Sequence, residues 1–174
     1  MPDYRRNRVP GGTNFFTVNF LERGSRLLTD NVNELRAAVA KVRNSRPFHI
    51  EGWVVLPEHM HCIWTLPEGD SEYVARWTAI KIAFSKSMPR TERRSAVRVA
   101  KGKREIWQRR YWEHSIRGDR DYAAHMEYIH FNPVKHGHVT QVQDWPYSSS
   151  HRLVSTAIYA LDWADRLLGS LRAL

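Results

Sequence analysis

Two histidines one residue apart, His59 and His61, lie in the apolar run EHMHCIW at 58–64. Side chains alternate across a β-strand, so a strand here points both imidazoles to one face and Met60 and Cys62 to the other. Such a pair is either a metal site or two packed, hydrogen-bonded histidines, and the pair alone does not choose. Further along, Tyr128 and Asn132 stand four apart in DRDYAAHMEYIHFN at 119–132, on one helical face a turn from each other. Taken singly, Tyr128 reads as a core aromatic and Asn132 as a helix C-terminal residue ahead of Pro133. If that face crosses the strand, two imidazoles, a carboxamide oxygen and a phenol meet. A mixed nitrogen and oxygen set suits Mg²⁺ or Mn²⁺ better than a structural zinc. A divalent ion on a phosphodiester oxygen draws off charge as phosphorus becomes five-coordinate and orients it for in-line attack. A phenolate nucleophile would leave a phosphodiester on the protein, conserving the bond energy for later strand transfer.

The elements that must position these residues follow from pattern. TNFFTVNF (13–20), behind the Gly11-Gly12 turn, reads as a strand, and NVNELRAAVAKVRNS (31–45) as a helix with Asp30 as its N-cap and Val32, Leu35, Val39 and Val42 on its apolar face. PFHIEGWVVLP and HMHCIWTLP, joined by PEH, predict an antiparallel hairpin. A second helix is expected over 70–88, with Val74, Trp77, Ile80 and Phe84 inward, then a strand or hairpin edge within 106–117. The third helix, 119–132, should stop at Pro133, with Lys135 and His136 in the turn beyond. This order predicts an α/β (α+β) sandwich of the ferredoxin-like kind, with a central antiparallel sheet, helices on one face and the other face open to a ligand. One domain over 1–150 is expected, with 151–174 a C-terminal tail packed back on it.

Composition narrows the partner. The 174 residues carry a formal charge of +9, and ten basic against two acidic residues fall between Lys86 and Arg110. A polyanion, nucleic acid before an acidic membrane surface, is the indicated partner, although a run of charge also suits a plain solvated loop. Arg5, Arg6 and Arg8 form a short basic arm, and Lys86, Arg90, Arg104, Arg109, Arg110 and Lys135 are the other candidate phosphate contacts. Cys62 is the only cysteine, which excludes an internal disulfide or a cysteine-based zinc site and suits a reducing cytoplasm. No apolar run approaches the roughly 18 residues of a membrane span, and there is no secretory h-region.

At this point three blocks in order, LPEHMHCIWTLPEGD, IWQRRYWEHSIR and YIHFNPVKHGHV, resemble the HUH single-tyrosine transposases. YRRNRVPGGTNFFTVN and DWPYSSSHR resemble, more narrowly, the REP-associated tyrosine transposases of bacteria. The resemblance implies an HUH-nuclease fold, with His59 and His61 as metal ligands and Tyr128 as the nucleophile. Asn132 falls where related enzymes place a third ligand, often Gln, so the shorter side chain is a departure that leaves direct or water-bridged ligation open. It further implies a Mg²⁺- or Mn²⁺-dependent enzyme that nicks single-stranded DNA beside REP-type hairpins, holds a 5′-phosphotyrosine and reseals, with a monomer favoured over a dimer. Trp107, Tyr111 and Trp112 are either base-stacking aromatics or core residues. His114 receives no role from the sequence, and His125 and His130 read as surface or supporting groups. A non-catalytic hairpin-binding protein is the alternative, and loss of the histidine pair or the tyrosine would mark it; all three are present.

Overall fold

Strict alternation along three strands sets the two faces of the sheet. The computed structural model describes residues 6–90, 96–102, 104–159 and 163. Its strands are β1 (Thr13–Asn19), β2 (His49–Val55), β3 (His59–Thr65) and β4 (Trp112–Ser115), all antiparallel in the order β2-β3-β1-β4. The helices are α1 (Leu27–Asp30), α2 (Val32–Ser45), α3 (Tyr73–Ser87), α4 (Ala96–Ala100), α5 (Asp119–Lys135) and α6 (Ser150–Ser155). Strand order and connection order together are those of the expected ferredoxin-like sandwich.

On one face, Phe16 and Val18 of β1 and Met60, Cys62 and Trp64 of β3 pack with α2 and α3, through Leu35, Val42, Trp77, Ile80 and Phe84. The opposite face carries Phe15, Val54 and Ile63, and these pack with Met126 and Ile129 of α5 and Leu153 of α6. That second face was expected to be open; it is instead roofed by α5, because Met126 and Ile129 give the helix an apolar stripe that must be buried. The site therefore lies between sheet and helix.

Two further expectations are corrected. Asp30 does not cap α2, since it closes the short α1 and Asn31 takes the position before Val32. In α3, Val74, Trp77, Ile80 and Phe84 face the core as expected, Val74 partly buried, and Tyr73 joins them fully buried. Pro133 does not end α5: the helix runs on to Lys135, with His136 N–H donating to the Asn132 carbonyl at 3.0 Å and His138 N–H to the Pro133 carbonyl at 3.0 Å. The proline removes one helical donor, yet its ring is buried against the domain, and the chain turns only at Gly137, whose φ of 73° needs no side chain. Asn132 is thereby held inside the helix rather than at its end. Arg5 and most of the C-terminal tail lie outside the described residues.

Candidate active site

The hairpin between β2 and β3 places the histidine pair at the start of β3, paired with Asn19 and Thr17 of β1. Both are buried, and their ring centroids lie 5.0 Å apart. α5 crosses this face so that Tyr128 meets His61 edge-on at 5.2 Å, with Phe15 against both rings at 5.8 and 5.9 Å. His136, just past the helix, lies 5.2 Å from His59. The structure thus brings together His59, His61, Tyr128 and Asn132, residues separated by some seventy positions in the chain.

Each imidazole is oriented from its Nδ1 side. Thr17 Oγ1 is 2.8 Å from His61 Nδ1 and Glu58 Oε1 is 3.2 Å from His59 Nδ1. With those protons donated to the hydroxyl and the carboxylate, both Nε2 atoms are left as lone pairs, the state a metal requires. Burial depresses both pKa values, that of His61 to about 3, with the neighbouring His59 adding to the effect, so the lone pairs are unprotonated at neutral pH. Asn132 is fully buried. Its carboxamide is near enough to pull both imidazoles slightly back toward protonation, yet it forms no well-made hydrogen bond with either. His61 Nε2 and Asn132 Oδ1 are buried acceptors with no hydrogen-bond partner among the described residues. Orphaned buried acceptors are rare and costly, and a divalent cation bound by His59, His61 and Asn132 would satisfy them; the residues present fit such an ion.

Tyr128 is 39% exposed, so its phenol is open to a ligand from solvent, and Lys135 places its ammonium 5.0 Å over the ring. Behind them His130 is fully buried, its Nδ1 3.1 Å from Tyr159 Oη and its Nε2 2.9 Å from Ser149 Oγ. Ser149 Oγ also accepts the Trp53 amide at 2.8 Å. His130 therefore ties α5 to β2.

Sequence reasoning missed a second constellation. His114 of β4 and Asp121 and His125 of α5 bring three ligand atoms within 4.8 Å of one another, a group with the composition to hold a metal ion. The legible signal was the Asp121 and His125 spacing of four, one helical turn.

The candidate phosphate contacts divide. Arg6 is ion-paired with Glu113 at 3.0 Å, Arg8 with Glu72 at 2.6 Å, and Arg104 donates to the carbonyls of Ser85, Met88 and Pro89 at the end of α3. Lys86, Arg90, Arg109 and Arg110 are exposed. Lys86, Arg90 and Arg109 line a cleft of about 840 Å³ with Arg6, Lys81 and Lys101, on the α3 side of the β4 edge. Of the three aromatics, Trp107 is core, Tyr111 is half-buried beneath Arg6, and Trp112 is 59% exposed. No helix among the described residues is long and apolar enough to cross a membrane.

Comparison with known proteins gives one consistent answer. The REP-associated tyrosine transposase of Escherichia coli (strain K12) is 52% identical over 94% of this chain and 92% of its own length. A relative in Haemophilus influenzae is 43% identical over 94% of this chain and 93% of its own. A solved structure of the REP-associated tyrosine transposase bound to a REP hairpin superposes with a TM-score of 0.81 at 52% identity, covering 94% of this chain and 92% of that one. No protein-family model matches.

Proposed function

The chain belongs to the family of REP-associated tyrosine transposases, and from that premise we propose that it cleaves and rejoins single-stranded DNA beside REP-type hairpins, with Tyr128 as nucleophile and a divalent metal held by His59, His61 and Asn132. The observation that carries this reading is the convergence of the edge-on Tyr128 with His61 Nε2 and Asn132 Oδ1, two buried acceptors that lack hydrogen-bond partners among the described residues.

When bound, Mg²⁺ or Mn²⁺ supplies Lewis-acid charge withdrawal from the scissile phosphate. The rest falls to the protein. Thr17 and Glu58 fix the imidazoles, and Phe15 holds the Tyr128 ring against His61. Tyr128 Oη gives up its proton to solvent and attacks phosphorus; the bond to the 3′-oxygen breaks, and that oxygen takes a proton from solvent and leaves as a 3′-hydroxyl. The DNA 5′-phosphate remains on the tyrosine. Attack by a 3′-hydroxyl on this phosphotyrosine reforms a phosphodiester and restores the phenol, so no external energy source is consumed. Lys135, above the ring, meets the charge of the incoming phosphate.

The test is a covalent-adduct assay with labelled single-stranded REP hairpin DNA and Mg²⁺ or Mn²⁺ on a denaturing gel. A shifted band is expected, absent with EDTA, with Tyr128→Phe and with His59→Ala plus His61→Ala. Hairpin binding without any adduct would reassign the protein as a non-catalytic hairpin-binding factor.

A further inference from the structure

The second histidine cluster has its own architecture. His114 lies opposite Phe15 in the β1–β4 ladder and so projects to the α5 face. Asp121 sits in the first turn of α5 and His125 one turn later, both reaching toward it. Asp121 Oδ2 is 2.8 Å from His114 Nε2, and Oδ1 is 3.0 Å from His125 Nδ1. The two imidazoles stack nearly parallel, 4.7 Å between centroids at 14°. One carboxylate is thus shared by two rings from different elements, and the His114 imidazole holds the Asp121 carboxyl below its usual range. All three side chains are partly open to solvent, which leaves room for a water or hydroxide as a further ligand.

We propose that His114, Asp121 and His125 form a second metal site, separate from the histidine pair of β3 and selective for a borderline transition-metal dication such as Zn²⁺. Four-coordinate zinc at about 2.0–2.1 Å from its ligands sets ligand atoms about 3.3 Å apart; one ligand atom from each of the three residues lies within 4.8 Å of the others, and binding turns the stacked imidazoles so that their in-plane lone pairs meet at one point. Two imidazoles and one carboxylate favour Zn²⁺ over Mg²⁺, which prefers an octahedron of oxygens. On binding, the ion takes the place of the protons now shared between ring nitrogens and carboxylate.

Such an ion clamps the N-terminal turns of α5 to the sheet-edge strand β4. Phe15 touches His125 at 4.8 Å as well as Tyr128, which follows three residues later on the same helix. The three residues are therefore positioning residues for the tyrosine; this role rests on the reading of Tyr128 as nucleophile, whereas the site itself does not.

Metal titration separates the two. Full-length protein carrying His59→Ala and His61→Ala is titrated with Zn²⁺ by calorimetry and with Co²⁺ by visible absorption. One equivalent is expected, with the intense bands of tetrahedral Co²⁺ and a raised melting temperature. Adding His114→Ala and His125→Ala should abolish all three signals, although His49, His136, His138 and His151 remain to bind adventitiously. Asp121→Asn, which keeps an acceptor for the Arg117 amide that now donates to Asp121 at 2.8 Å, should weaken binding at least tenfold and guards against misfolding of the quadruple variant. Binding that is absent from the first variant, or unchanged by Asp121→Asn, overturns the site. Failure of the adduct assay with this titration intact would sink only the transposase chemistry.

Discussion

At the scale of single residues, a buried carboxamide and a half-buried ammonium cost stability and so point to ligands. Asn132 is sealed in α5 with its carboxamide unpaired among the described residues, and an unsatisfied buried amide costs about 1–3 kcal/mol. Asn132→Leu should therefore leave the metal-free protein at least as stable while lowering Mn²⁺ affinity tenfold or more; calorimetry and thermal melts with and without metal read both. A less stable variant with unchanged metal affinity would remove Asn132 from the ligand set. Lys81 makes the same argument for phosphate. Its ammonium donates to the Gln108 carbonyl at 3.1 Å and faces the rings of Trp107 and Tyr111, with no acidic side chain paired to it among the described residues. Burial, reinforced by Arg6, lowers its pKa from 10.5 to about 8. Below pH 8 both folded and unfolded chains carry the proton and the full cost is present. Between about pH 8 and 10.5 the unfolded chain keeps a proton that the folded one has released, so this contribution to stability rises with pH. Lys81→Met should stabilise the free protein at pH 7 by about 3 kcal/mol and lose that advantage by pH 10.5 in denaturant titrations. If the two proteins stay equally stable across that range, the buried-ammonium argument is wrong.

At the scale of elements, the site depends on how closely α5 approaches the sheet. Gly52, beside a register shift in β2, faces Met126, and a Cβ there would come within 2.7 Å of the Met126 sulfur. Gly52→Ala asks only a flexible thioether to move, whereas Gly52→Val fills the gap and should cost about 1–3 kcal/mol by overpacking. Because the displaced element carries Tyr128, adduct formation should fall further than stability alone accounts for; equal losses would show that the docking of α5 does not set the tyrosine. This is also where the sequence was least legible. The period-2 pattern of EHMHCIW and the PEH turn revealed β3 and its histidine face, and helical spacing revealed α5. Nothing local could show that α5 roofs the sheet, since Met126, Ile129 and Leu153 pack with Phe15, Val54 and Ile63 far away in the chain. Pro133 misled for a related reason: burial of its ring and the bonds around it override a propensity that would end an isolated helix. His114 was visible but silent until β4 paired with β1 and set it beside Asp121.

At the scale of the molecule, the basic cleft and the residues proposed for catalysis fall on different faces. The basic cleft is on the α3 side of the β4 edge, while Tyr128 and the histidine pair are on the α5 side. A hairpin stem lying in the cleft would have to send its single strand around that edge to reach the tyrosine. Trp112 stands on the way: it is exposed on β4, paired with Thr17, which is itself paired with His61, so all three project from the α5 face in one row across the sheet. Two separable effects follow from this layout. Replacing Lys86, Arg90, Arg109 and Arg110 by serine should flatten the salt dependence of hairpin binding by up to about 0.9 log units per lost duplex-phosphate contact, with little change in melting temperature, because all four side chains are exposed. Trp112→Ala should leave that slope intact and instead weaken capture of the single-stranded flank by about 1–3 kcal/mol, the worth of one stacked base. Binding isotherms at several salt concentrations, on hairpins with and without the flank, distinguish the two. A Trp112 effect that is equal on both substrates, or a slope untouched by the four serines, would mean that the DNA takes a different path over the molecule.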